Sequence, residues 1–208
     1  MKITLLGDSI RQQYEPIVRE MLGDEFEIWA PEENCRFSQY TLRGIFDWER
    51  SMEGSEIVHW NNGHWDVCRL FDYGTFTDEE TYLSNMLRIY DILKKRYSTV
   101  IFSTTTPVRN SNRYNSNEDI DRFNSKLAQL LRERGAIIND LNALLRDDID
   151  RYICEDTIHL TEEGIRLCAN QVADCIREVA GIIKTTPTRV NELDNEDGLS
   201  DVGAPILI

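Results

Sequence analysis

Lys2-Ile3-Thr4-Leu5-Leu6-Gly7-Asp8-Ser9-Ile10 begins as a short apolar run and breaks into Gly, Asp and Ser. Apolar, partly β-branched residues bounded by a turn residue read as a buried strand, and the polar break reads as the loop leaving its carboxyl end. The pattern returns at residues 26–30, 56–61, 99–104 and 136–139. Helical periods fill the gaps. One starts near Tyr14, with Pro16 in its first turn and Gly23 as its stop, and one follows the capping-box stretch Thr77-Asp78-Glu79-Glu80 to about Arg96. Ser116 opens a third, ending at Gly135. A fourth follows Thr161, where Ile165, Cys168, Val172, Cys175, Ile176, Val179 and Ile182 recur every three or four residues.

Strands joined by helix-length crossovers run parallel, because a tight hairpin cannot return the chain to the same direction. The pattern predicts an α/β fold: a three-layer α/β/α sandwich around a five-stranded, mostly parallel sheet of flavodoxin-like layout. Its functional groups belong in the loops at the carboxyl ends of the strands. Residues 1–183 form one domain in this reading, and 184–208, aperiodic and more acidic than basic, form a tail.

The chain has 208 residues, 41% of them hydrophobic, and its 23 Lys+Arg against 37 Asp+Glu give a net charge of -14. That field repels phosphate polymers and anionic lipid, so neither nucleic acid nor membrane is an expected partner. Apolar stretches fall far short of the roughly 20 residues a spanning helix needs. The N-terminal run meets Gly and acid too early for a signal peptide. Cys35, Cys68, Cys154, Cys168 and Cys175 include no C-x-x-C pair and read as reduced packing residues, which implies a reducing, cytoplasmic compartment. His59 and His64 lack zinc-site spacing, so no metal and no cofactor is expected.

Three loops carry chemistry. Ser9, entered through Gly7, can present a hydroxyl and its own backbone N–H to the mouth of the sheet; the bland alternative is an ordinary turn. Asp156-Thr157-Ile158-His159 places a carboxylate within local reach of an imidazole, as a base that activates a hydroxyl requires; a capping role is the alternative. His59-Trp60-Asn61-Asn62-Gly63-His64-Trp65-Asp66 follows the third strand, and an Asn amide there can stabilise a developing oxyanion or simply build an Asn-Gly turn.

Taken together, these residues resemble the SGNH, or GDSL-type, hydrolases. Gly7-Asp8-Ser9-Ile10 matches that family's first block, Asn62 its third, and Asp156 with His159 its last, in an element order spanning about residues 1 to 183. The resemblance implies a Ser9 nucleophile, a His159 general base, Asp156 as its orienting partner, and an oxyanion hole of Ser9 N–H and Asn62. It implies an esterase acting on a small-molecule or carbohydrate ester. Two blocks diverge. The segment after the second strand has no Gly before Gly44, leaving Ser38, Gln39 or Gly44 as the second-block donor; Trp60-Asn61-Asn62-Gly63 changes both neighbours of the Asn, so Asn61 competes with Asn62.

Arg11 has two readings, holding a substrate oxygen or making an ion pair, and Arg36 and Arg43 share them. Trp60 and Trp65 stack on substrate or belong to the core. Without a long apolar lid segment or an exposed amphipathic membrane-docking stretch, a small acyl ester such as a sugar O-acetyl group is favoured over lipid. A catalytically silent binding module on the same scaffold is the main alternative, and an acyltransferase would use the same residues. A flavodoxin-like cofactor binder ranks last, because the first loop puts Asp8 where a phosphate would sit.

Overall fold

A computed structural model describes residues 1–185, with side chains as far as Gly181. The expected tail therefore lies, beyond Thr185, outside the described residues. Strands β1 (Lys2–Leu6), β2 (Glu27–Trp29), β3 (Ser55–Trp60), β4 (Thr99–Ser103) and β5 (Ile137–Asn139) form one parallel sheet in the order β2-β1-β3-β4-β5. The connections hold helices α1 (Ser9–Leu22), α2 (Ser38–Asp47), α3 (Glu49–Met52), α4 (His64–Val67), α5 (Glu79–Arg96), α6 (Asn117–Glu133), α7 (Leu141–Arg146), α8 (Ile149–Tyr152) and α9 (Glu162–Thr185).

Alternation along the strands builds the layers. Ile3, Leu5, Ile57 and Ile101 pack on one face under Ile10, Tyr14 and Val18 of α1 and Cys168, Val172 and Ile176 of α9. Leu6, Val58, Trp60, Val100 and Phe102 face the other way, under Met86 and Ile89 of α5 and Phe123 and Leu127 of α6. The sheet is thus covered on both sides, as the near-continuous apolar strands require. No helix among the described residues is long and apolar enough to cross a membrane.

Two helix starts differ from the sequence reading. Helix α1 begins at Ser9, not near Tyr14: Asp8 is its N-cap and accepts from Ile10 N at 3.0 Å. Pro16 sits inside the helix, where it removes only the bond to the Gln12 carbonyl. Helix α5 is capped by Asp78, whose carboxylate accepts from Thr81 N at 2.9 Å, and Thr77 stays outside. Ser116 does cap α6, accepting from Asp119 N at 3.2 Å.

The chain leaves β1 for β2 on one side and passes to β3 on the other, so the strand order reverses direction at β1 and β3. Side chains after these two strands meet in the crevice at their carboxyl ends. Leu6 pairs with Trp60 and Asn61 N donates to Leu6 O at 3.2 Å, which sets Gly7 level with Asn61. A Cβ on Gly7 would stand 2.0 Å from Asn61 Oδ1 and 2.7 Å from Arg11 Cβ. Gly7→Ala is therefore expected to destabilise the fold by about 1–3 kcal/mol through overpacking. Urea unfolding measures it, and an unchanged midpoint would show that the crossing relaxes freely.

Candidate active site

Ser9 is the first residue of α1, so its hydroxyl stands at the end of β1 while its N–H belongs to the helix's unpaired first turn. The loop between α8 and α9 brings the partner from 150 residues away. His159 Nε2 lies 2.9 Å from Ser9 Oγ, and His159 Nδ1 lies 2.6 Å from Asp156 Oδ2. A carboxylate can only accept, so Nδ1–H donates to Asp156 and the unprotonated Nε2 accepts a hydrogen bond from the Ser9 hydroxyl.

The carboxylate is held from behind. Asp156 Oδ1 accepts from His159 N at 3.0 Å and from Ile158 N at 3.1 Å. Partial burial pushes the Asp156 carboxyl up, but these N–H groups and the His159 ring outweigh it and hold it below its ordinary value. The tight loop requires Thr157 at φ 78°, a left-handed conformation unusual for a β-branched residue. Arg109 N donates to Thr157 O at 3.0 Å and Asn112 Nδ2 to Thr157 Oγ1 at 2.9 Å, which holds the strained residue in place. On the loop's other flank, Gln13 Oε1 of α1 accepts from Leu160 N at 3.0 Å, tying the loop to the helix that carries Ser9.

Ser9 and His159 open into a cleft of about 390 Å³ whose walls include Asn34, His64, Trp65, Leu70, Asn115 and Ile158. Of these, sequence reading singles out only Trp65 as a substrate contact. His64 Nε2 lies 2.9 Å from Thr106 Oγ1, and Asn115 Nδ2 donates to His64 O at 3.0 Å. Burial pushes the His64 imidazole pKa down, with His159 adding to the effect and Asp8 opposing it, so this wall of the cleft is neutral. The loop between α4 and α5 reaches the cleft wall at Leu70. It exposes Leu70, Phe71, Tyr73 and Phe76, and no period marks it because it is a run of turns.

Arg11 is turned away from the cleft. It is 2% exposed, pairs with Glu15, and donates to Pro31 O at 3.0 Å and Glu33 O at 2.9 Å, stapling the loop after β2 to α1. Trp60 is likewise withdrawn from the site, wholly buried against Phe102 with ring centroids 5.0 Å apart. Arg43 pairs with Asp47 at 2.7 Å on the surface of α2, and the Arg36 guanidinium lies over the Tyr40 ring. A groove of about 890 Å³ beside Arg11, between α1 and the loop after β2, includes neither Ser9 nor His159.

Asn62 is wholly buried behind the cleft. Its Nδ2 donates to Arg36 O at 2.9 Å, while its backbone carbonyl accepts from Tyr82 Oη at 2.8 Å and Thr105 Oγ1 at 3.3 Å. An amide nitrogen carries two N–H groups, so one remains after the bond to Arg36. Asn61 instead packs its side chain against Gly7. The loop after β2 turns without Gly by placing Arg36 at φ 51°, with Asn34 Oδ1 accepting from Arg36 N at 2.7 Å. Of the three second-block candidates, Ser38 N is committed to the Asp66 carboxylate and Gly44 lies inside α2 against the Trp48 ring.

No family model matches the chain, and no curated protein matches its sequence. Solved structures do match. An acetyl xylan esterase aligns with a TM-score of 0.72 at 21% identity, over 85% of this chain and 100% of its own. A lipase/acylhydrolase from Enterococcus faecalis gives 0.70 at 18%, over 87% and 96%. A member of the lipolytic G-D-S-L family from Veillonella parvula gives 0.70 at 16%, over 85% and 98%. At such identities the likeness is one of architecture, and that architecture is the SGNH, or GDSL-type, hydrolase fold.

Proposed function

We propose that this protein is a serine esterase that hydrolyses small acyl esters, O-acetyl groups on carbohydrate among them, through an acyl-Ser9 intermediate. The observation that carries the reading is the unbroken succession Ser9 Oγ, His159 and Asp156, at 2.9 and 2.6 Å. Ser9 Oγ attacks the ester carbonyl as its proton passes to His159 Nε2. The tetrahedral oxyanion is met by Ser9 N–H at the start of α1 and by the Asn62 amide. His159 then gives the proton to the departing alcohol. A water molecule, deprotonated by the same imidazole, attacks the acyl carbon, and the imidazolium returns that proton to Ser9 Oγ as the C–O bond breaks and the acid leaves.

Trp65 and Leu70 supply an apolar wall suited to a short acyl chain or to the face of a sugar ring. Five unpaired cysteines suit work in a reducing cytoplasm. The test is a panel of acetylated sugars and p-nitrophenyl esters of graded chain length, run beside a fluorophosphonate probe. Turnover of short esters and labelling at Ser9 are expected. Folded protein that neither turns over the panel nor reacts at Ser9 would leave a silent binding module instead, and acyl transfer to an added alcohol in preference to water would make it a transferase.

Asn62→Ala is expected to lower kcat by about 100- to 1000-fold, as removal of one oxyanion donor does, while Asn61→Ala leaves the rate within about tenfold of wild type. The reverse order would move the donor to Asn61. Steady-state kinetics on the short ester read both.

A further inference from the structure

Helices α2 and α4 meet at a wholly buried carboxylate. Asp66 Oδ2 accepts from Ser38 N at 2.9 Å, its Oδ1 accepts from Ser38 Oγ at 2.7 Å, and Ser38 Oγ accepts in turn from Asn85 Nδ2 at 3.2 Å. The charge is met by these donors and by the start of the ten-residue helix α2. Burial pushes the Asp66 carboxyl up to about 6, against the pull of its bonds to Ser38 and Thr77 and with Asp8 adding to the rise. Burying an acid this way is costly, and a neutral side chain would fill the space more cheaply.

The placement of this acid supplies a reason. Four residues earlier, Asn62 Nδ2 donates to Arg36 O at 2.9 Å. Two ties therefore join the same pair of segments: Asn62 to Arg36, and Asp66 to Ser38. One segment carries Asn34 and the first turn of α2; the other carries Asn62 and His64. Both flank Ser9, and Asn34 and His64 stand in the cleft wall.

Resting on the assignment of Ser9 as nucleophile, we propose that Asp66 is a positioning residue: by holding the first turn of α2 to α4 it sets where the Asn62 amide stands relative to the acyl oxygen. It touches no reacting atom. Its effect appears where charge develops, in the transition state, rather than in ground-state binding.

Asp66→Asn keeps the side-chain shape but aims an N–H₂ at the Ser38 donors. A misplacement of about 1 Å at an oxyanion donor costs up to about 100-fold, so kcat on the short ester is expected to fall about 10- to 100-fold with KM within about threefold. Fluorophosphonate labelling of Ser9 slows in parallel. Hydrogen exchange at residues 37–41 accelerates while α1 and α9 keep their protection, and the loss is less than multiplicative with that of Asn62→Ala. Ser38→Ala, which keeps the backbone donor, serves as a milder second variant with a smaller fall in kcat. A folded Asp66→Asn protein with wild-type kcat, or with unchanged exchange at 37–41, overturns the proposal. Wild-type protein without ester turnover overturns the Ser9 reading instead, and exchange at 37–41 still decides whether Asp66 holds α2.

Discussion

Ser9→Ala and His159→Ala are each expected to lower kcat on a short acyl ester by about 10⁴- to 10⁶-fold, and the double variant to fall no further. The two side chains lie 2.9 Å apart, and in the proposed mechanism they act as one proton-transfer unit, so once either is gone the other has nothing left to do. Residual rate then comes from binding and the oxyanion donors, which neither substitution removes. The fold survives the Ser9 change for a local reason. Ser9 occupies the first position of α1, Asp8 still caps Ile10, and Ala is the best helix former. Kinetics with a thermal melt separate the outcomes. Activity within tenfold of wild type in folded Ser9→Ala protein would remove Ser9 from the chemistry. Losses that multiply in the double variant would mean that the two residues act independently.

The layered architecture is legible because apolar strands and helical periods alternate along the chain, and even the three-residue edge strands β2 and β5 are flanked by clear breaks. The candidate triad is legible because Asp156 and His159 share one loop, so their contact is a local matter of spacing. Contacts made by convergence are not. Asn34, Asn115 and Ile158 reach the cleft from three separate loops, and no spacing in the sequence relates them. Helix α4 also escapes a reading by period. Four residues are too few for one, yet they carry His64 and Asp66.

Neighbourhood in sequence misleads where side-chain direction is needed. Arg11 lies two residues beyond Ser9 on a helix, a rotation of about 200°, so it faces the loop after β2 while Ser9 faces the cleft. Trp60 ends β3 one residue before Asn61 and points into the α5/α6 side of the core. Helix α1 hides its start because Pro16 suggests a first turn at that point, whereas the Asp8 cap has already opened the helix.

Asp156→Asn is expected to lower kcat by about 10²- to 10⁴-fold with KM little changed. The variant keeps an oxygen to accept from His159 N and Ile158 N, and Thr157 stays held by Arg109 and Asn112, so the loop retains its shape. What changes is the group facing His159 Nδ1. An amide N–H₂ there demands an acceptor, moves the ring proton to Nε2, and leaves Ser9 facing a donor where it needs a base. The Asp156 side chain is 50% exposed, so water can take over part of its role, which favours the smaller end of the range. The pH profile adds an independent check. The Asp156 carboxyl is held below its ordinary value, so it stays ionised through the neutral range and the Asn variant differs from wild type there by a full charge. Asp156→Asn should lower the rate throughout that range. A variant within tenfold of wild type, on an unchanged profile, would reduce Asp156 to a cap that shapes the loop and leave the backbone to orient the imidazole.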